Sequence, residues 1–342
     1  MLILPPPHRR ALLVAVLVLG TLAACGGDSP TATDTPEPPR TAAPSMAVEA
    51  YLSEIINVMQ THSVNRRTID WPAFRSHVLA TAGTAQTVSQ AFPAITAALA
   101  RLGDGHSSYR SPTGTFLFVP TRTCRASGAP IPVGLPPDIG YVRVGAFSGT
   151  AAQAAALANG MQRTLEARDR DSLAGWIVDL RGNGGGNMWP MLAGVGPVLG
   201  TGVVGWFIDP DGVQTPWEYR DGASWSGGFA VQRVDAPYTL RQPNPRVAVL
   251  VDNGVASSGE AIFIAFRGRP DTRSFGVATC GLSTANRGFP LSDGALLNLT
   301  VALMADRDKS PYGEQVMPDE TIDDQAAVVQ RAVEWLRGAA RE

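Results

Sequence analysis

Lysine is almost missing from this chain. Lys309 is the one lysine in 342 residues, and every other strongly basic side chain is an arginine. A phosphate-binding loop of the GK[ST] type is therefore excluded, because no lysine follows any of the glycine runs. Cysteine is scarce as well. Three are present, with no C-x-x-C pair and no clustered His/Cys spacing, so no metal site and no cofactor are expected. Cys124 and Cys280 could pair in an oxidising compartment, but their distance in sequence leaves that open. There is no excess of positive charge, since the formal net charge is -2, and nothing draws the protein toward nucleic acid. No apolar run is long enough to span a bilayer, and no internal repeat is present.

The longest apolar run, "ALLVAVLVLGTLAA", follows Arg9 and Arg10 and has the length of a signal-peptide core. It ends in "LAAC", Leu22 to Cys25, which resembles the bacterial lipoprotein cleavage box. The resemblance implies a signal peptide over residues 1–24 and lipidation of Cys25. Residues 25–45 are rich in Pro, Thr and Asp and nearly free of apolar side chains, which predicts a tether without a core of its own. The expected product is exported and lipid-anchored to a bacterial membrane, facing the periplasm or the exterior.

From Met46 the pattern changes. Residues 46–110 read as helical, and Ile95, Leu99 and Leu102 mark one face of a helix that stops at Gly103. His106 then falls on a loop just beyond a helix end. Over residues 111–342, strands alternate with helices. "IGYVRVGAF", "AGWIVDLR", "GVVGWFI", "RVAVLVD" and "RSFGVATCG" read as strands, with amphipathic or apolar helices between them and a closing helix capped by Asp323 or Asp324. This order predicts an α/β core with a mainly parallel sheet.

Three stretches carry the chemistry: "GDGHSSY" from Gly103, "DLRGNGGGN" from Asp179 and "NGVASSGE" from Asn253. The glycine loop does not fit the dinucleotide fingerprint, because Asn187 stands where the last glycine or alanine would be. It does place bare N–H groups at the end of a parallel strand, where a carbonyl oxygen can be held. Ser257 and Ser258 sit at a strand-to-helix corner with Glu260 just inside the helix. A helix cap and a nucleophile held at the helix N-terminus both fit that corner. A G-x-S-x-G elbow does not, from either serine.

Taken in order, "DGHS", "DLRGNGGG", "GVASSGE" and "YGEQVMPD" resemble the serine peptidase superfamily of tricorn core and C-terminal processing proteases, over roughly Met46 to Asp319. The resemblance implies a crotonase-like α/β core with a small N-terminal helical region. It also implies hydrolysis of a peptide or protein substrate through an acyl-enzyme on Ser257. Oxyanion donors would come from the backbone of Gly184, Gly185 and Gly186 and of Ser258. C-terminal processing proteases use a lysine base, but Leu282 occupies its place and Lys309 lies far downstream, in a polar turn. The short interval between His106 and Ile139 leaves no room for the PDZ domain of those proteases. The histidine-using branch is therefore the match, with His106 as general base. For the group that orients it, Glu314 is the nearest acid to the family position, and Ser283 and Thr284 are candidates to hold His106 or the substrate. Asp104 is expected to shape the turn before His106. Two alternatives stand beside the peptidase: a lipoprotein that binds hydrophobic ligands or peptides on the same fold, and an esterase using the same residues on small esters.

Overall fold

The computed structural model describes residues 43–338. The segment expected to be a signal peptide, Cys25 and nearly all of the expected tether lie outside the described residues. In chain order the elements are α1 (Met46–His62), α2 (Trp71–Ala82), α3 (Phe92–Leu102), β1 (Ser108–Arg110), β2 (Phe116–Phe118), β3 (Ile139–Arg143), α4 (Ala151–Arg168), β4 (Gly175–Asp179), α5 (Met188–Leu199), β5 (Gly202–Ile208), β6 (Gln214–Arg220), β7 (Ala223–Ser226), β8 (Phe229–Arg233), β9 (Val247–Val251), α6 (Ser258–Phe266), β10 (Thr272–Gly276), β11 (Thr284–Pro290), β12 (Leu296–Ala305), β13 (Glu320–Thr321) and α7 (Gln325–Leu336).

Local chemistry sets many of these ends. Ser45, Asp70, Thr150 and Asp324 each accept a backbone N–H in the first turn of the helix they precede. Thr150 and Gln153 form a reciprocal capping box. Gly103 ends α3 in the left-handed region at φ 70°, where a side chain would be strained, and this turns the chain toward His106.

The strands form two sheets. One has the order β13-β10-β9-β4-β3, with every neighbour parallel. Its central strands, "GWIVD" and "VAVLV", are buried at every position, as a sheet covered on both faces requires. One face packs with α4, α5 and α6 into the largest core, around Trp176, Val178, Val249 and Phe263. The other face is closed by α7, through Val328, Ala332 and Leu336 against Ile177, Leu250 and Phe275.

The second sheet was not foreseen from the sequence. It is antiparallel, in the order β2-β1-β12-β5-β6-β7-β8, with β11 also paired to β12. The N-terminal helices share a core with it: Leu52, Ile55, Met59, Ile95 and Leu99 pack with Leu297 and Leu299 of β12. Residues 43–338 form one compact unit. Among the described residues, no helix is long and apolar enough to cross a membrane.

Candidate active site

Strands β4 and β9 are parallel neighbours, so the turns that leave their C-terminal ends meet. The first turn is stiffened from below. Arg181 folds back on Asp179 with two hydrogen bonds, of 2.9 and 2.8 Å, and Tyr141 donates to the same carboxylate at 2.9 Å. Both members of the ion pair are buried, so each needs the other. Asp252, at the end of β9, then ties the two turns together: its Oδ1 accepts from the N–H groups of Gly182 at 2.8 Å and Gly254 at 2.9 Å. The Asn183 carbonyl accepts from the Ala256 N–H at 3.0 Å. A methyl group on Gly259 would stand 2.2 Å from that carbonyl oxygen, so only glycine fits there.

Ser257 occupies the position before α6 at φ 53°, ψ -119°, a region that side-chain-bearing residues rarely enter and that costs about 1–3 kcal/mol. Glu260 holds it there. Its carboxylate accepts from the Ser257 N–H at 2.9 Å, Leu282 N–H at 2.7 Å, Gly281 N–H at 2.8 Å and Thr279 hydroxyl at 2.5 Å. Burial pushes Glu260 up to about 7, against the four donors that favour its charge. The Glu260 carboxylate thus closes the start of α6 on the Ser257 N–H, and Ser257 lines a cavity of about 1050 Å³. The Ser258 hydroxyl donates to the Gly186 carbonyl at 2.6 Å.

The backbone donors expected from the glycine loop divide. Gly184 N–H is turned into the loop, onto Gly182 O at 3.0 Å, and Gly185 N–H onto Asn183 Oδ1 at 3.0 Å. Among the described residues, the N–H groups of Gly186 and Ser258 meet no protein acceptor. Gly185 lies flush on the serine turn, where an added methyl would stand 2.9 Å from both the Ser257 Cβ and the Ser258 nitrogen.

His106 approaches from the opposite wall. Asp104 shapes its turn as expected, accepting from the N–H groups of His106 at 2.8 Å and Ser107 at 2.7 Å. The imidazole Nδ1 is 2.7 Å from Thr284 Oγ1, and Asn286 donates to the His106 carbonyl at 3.0 Å. Burial pushes the imidazole down to about 4, opposed by the Asp104 charge. His106, Thr284 and Ser257 line the same cavity, with no hydrogen bond between Ser257 and His106 among the described residues. Catalytic contacts commonly tighten only when substrate arrives.

Glu314 is not brought to this site: its side chain is exposed and stands outside the cavity lining. Ser283 is buried and turned away, donating to the Glu314 carbonyl at 2.6 Å and accepting from Gly313 N–H at 2.8 Å. The partner of His106 is Thr284. Lys309 stands over the Trp206 ring at 4.5 Å, apart from the cavity. Among the described residues, no cluster of three His, Cys, Asp or Glu side chains is placed to hold a metal.

Two further supports hold the serine turn, one missed in the sequence and one left open there. Glu260 was read only as a helix-start residue, although its spacing after Ser257 was the available signal. The second is a strap: Cys124 and Cys280 are joined in a disulfide. The same segment places Arg125 N–H on Asn253 and both the N–H and hydroxyl of Ser127 on Asp252, so the serine turn is held from outside as well.

Comparison with known proteins identifies the family. The model of peptidase family S41 matches residues 138–322. A nisin-resistance protein of Lactococcus lactis is 32% identical over 192 residues, covering 56% of this chain and 58% of the relative. The carboxy-terminal processing protease CtpA of Bacillus subtilis is 26% identical over 165 residues, covering 48% of this chain and 30% of the relative. The chain thus spans less than two thirds of these relatives. Among solved structures, a lipoprotein from Streptococcus agalactiae superposes with a TM-score of 0.66 at 22% identity, covering 86% of this chain and 97% of that one. The photosystem II D1 C-terminal processing protease superposes at 0.53 and 17% identity, over 86% and 98%. The family model covers more than half of the chain, and the chain belongs to peptidase family S41.

Proposed function

We propose that the protein is a serine peptidase in which Ser257 is the nucleophile and His106 the general base. The observation that carries this reading is Ser257 itself: a serine held at positive φ, its N–H fixed by Glu260, lining the same cavity as His106. In the proposed mechanism His106 Nδ1–H donates to Thr284 Oγ1, which leaves Nε2 to take the Ser257 proton as Oγ attacks the scissile carbonyl. Thr284 is a positioning residue. The developing oxyanion is received by the N–H groups of Gly186 and Ser258, while Gly184 and Gly185 shape the loop that presents them. His106 then returns the proton to the leaving amine, and water repeats the sequence on the acyl-enzyme. Because burial disfavours the imidazolium, His106 is neutral, as a base must be, well below neutral pH.

Export and lipid anchoring through Cys25 form part of the proposal. The "LAAC" box and the Cys124–Cys280 disulfide support them, since structural disulfides persist in oxidising compartments.

The test is labelling of residues 46–342 with a fluorophosphonate, followed by peptide mapping. Stoichiometric adduct on Ser257, abolished in Ser257→Ala and His106→Ala, is the expected result. A folded protein that takes no label would turn the reading to a ligand-binding domain. Peptides go first into the substrate panel, with nisin among them because of the relative's name. Small esters follow, for a specific reason: a threonine stabilises an imidazolium less than a carboxylate would, and esters need less help in losing their leaving group.

A further inference from the structure

The loop that carries His106 is fastened to β11 and β12 by a closed ring of hydrogen bonds. Asn286 Nδ2 donates to the His106 carbonyl at 3.0 Å, and Thr300 Oγ1 donates to Asn286 Oδ1 at 2.9 Å. The Thr300 N–H donates to Ser107 Oγ at 3.0 Å, and that hydroxyl donates to Asp104 Oδ2 at 2.7 Å. Asp104 Oδ1 accepts the His106 N–H at 2.8 Å, which returns the ring to its starting residue. The directions are forced. A carbonyl oxygen only accepts, so the Asn286 amide must turn Nδ2 toward His106, and Oδ1 is left for the Thr300 hydroxyl. Ser107 is 3% and Thr300 0% exposed, so each depends on the ring for its partners.

The ladder between β11 and β12 is shaped to close this ring. Thr284 pairs with Leu303 and Ala285 with Ala302, but Asn286 pairs with Thr300, because Val301 is the extra residue of a bulge. Without that shift Val301 would stand opposite Asn286, and no hydroxyl would meet its amide. Thr284 and Asn286 are two residues apart, on one face of β11. The first meets the imidazole Nδ1 at 2.7 Å, and the second holds the main chain of the same residue. A ring held at one atom still swings with its loop, and a hold on the backbone removes that freedom. We propose that Asn286, set by Thr300, is a positioning residue for the general base: the two holds from β11 together aim His106 Nε2 across the cavity at Ser257. The role in catalysis rests on the Ser257–His106 reading; the hold on the imidazole does not.

The experiment therefore reads the imidazole as well as the chemistry. Long-range proton–nitrogen correlation spectra are recorded on residues 46–342 carrying isotope-labelled histidine, with the His106 signals assigned by their loss in His106→Ala. The expected wild-type pattern has the His106 proton on Nδ1 alone. Asn286→Ala should average the two ring nitrogens of His106 and leave those of His77 unmoved, with the unfolding midpoint little changed. The same variant should slow fluorophosphonate labelling of Ser257 by roughly tenfold. Thr300→Val should slow it in part, and Thr300→Ser, which keeps the hydroxyl, should restore most of the rate. Because both residues act through one hold, Asn286→Ala combined with Thr300→Val should be no slower than Asn286→Ala alone. A His106 pattern unchanged in Asn286→Ala overturns the proposal, whether or not labelling slows. So do losses that multiply in the double variant. If folded wild-type protein takes no label at all, the peptidase reading falls, and the imidazole spectra alone decide whether Asn286 holds His106.

Discussion

At the scale of single residues, two buried groups on opposite walls of the cavity have opposite linkages to pH. His106 falls from 6.5 to about 4 on folding, so the unfolded chain binds its proton more tightly and stability is lost as pH falls through that window. Glu260 rises from 4.5 to about 7, so the folded chain binds its proton more tightly and stability is lost as pH rises through nearly the same window. Each change is worth about 3 kcal/mol, and the two offset. Urea unfolding across pH 4.5 to 7 should therefore reveal slopes of opposite sign in the two variants: falling with pH in His106→Ala and rising in Glu260→Gln. Matching slopes would show that the two burials do not act this way. The glycine loop offers a second contrast. A methyl on Gly186, at φ 105°, would lie 2.0 Å from the Phe147 carbonyl oxygen, whereas one on Gly184 meets nothing within 4 Å. Fluorophosphonate labelling should slow at least roughly tenfold in Gly186→Ala and stay near wild type in Gly184→Ala.

At the scale of elements, the parallel strands were legible because a strand buried on both faces has no polar residue to interrupt it. "VAVLV" can scarcely be read otherwise. Of the antiparallel sheet only strands such as β5, "GVVGWFI", were legible, for the converse reason: β6 contains Pro216, Glu218 and Arg220 among its apolar residues, and β11, "TANRGFP", has neither an apolar run nor a clean alternation. That gap touches the site, since β11 supplies Thr284, and it is why Ser283 and Thr284 stood as equal candidates in the sequence. Proximity in sequence to a family position says nothing about where a loop side chain points, and Glu314 stands outside the cavity lining. Thr284→Val should lower the rate of Ser257 labelling by roughly ten- to a hundredfold, with thermal stability little changed, while Thr284→Ser restores most of it. The disulfide strap makes a further expectation concrete. Cys280 lies between Thr279 and Gly281, both of which donate to Glu260. Reduction, or Cys124→Ser with Cys280→Ser, should cost about 2–4 kcal/mol in unfolding experiments and slow labelling of Ser257 as the Glu260 shell loosens.

At the scale of the whole molecule, the cavity is bounded by segments distant in sequence. The parallel sheet presents Ser257 and the glycine loop, the antiparallel sheet presents Thr284 and Ala302, and the segment after α1 presents Arg66. The last of these reaches the turn between β5 and β6 through ion pairs of Arg66 and Arg67 with the single carboxylate of Asp211, at 2.5 Å for Arg67. Asp211 is half exposed, and such contacts contribute about 1 kcal/mol or less and weaken with salt. Their consequence is one of shape rather than of strength. Because Arg66 and Asp211 both line the cavity, the contact sets how far apart two walls distant in sequence can stand. Asp211→Asn should therefore change the rate at which bulky fluorophosphonates label Ser257 more than the rate for small ones, and equal changes would show that this contact does not set the width.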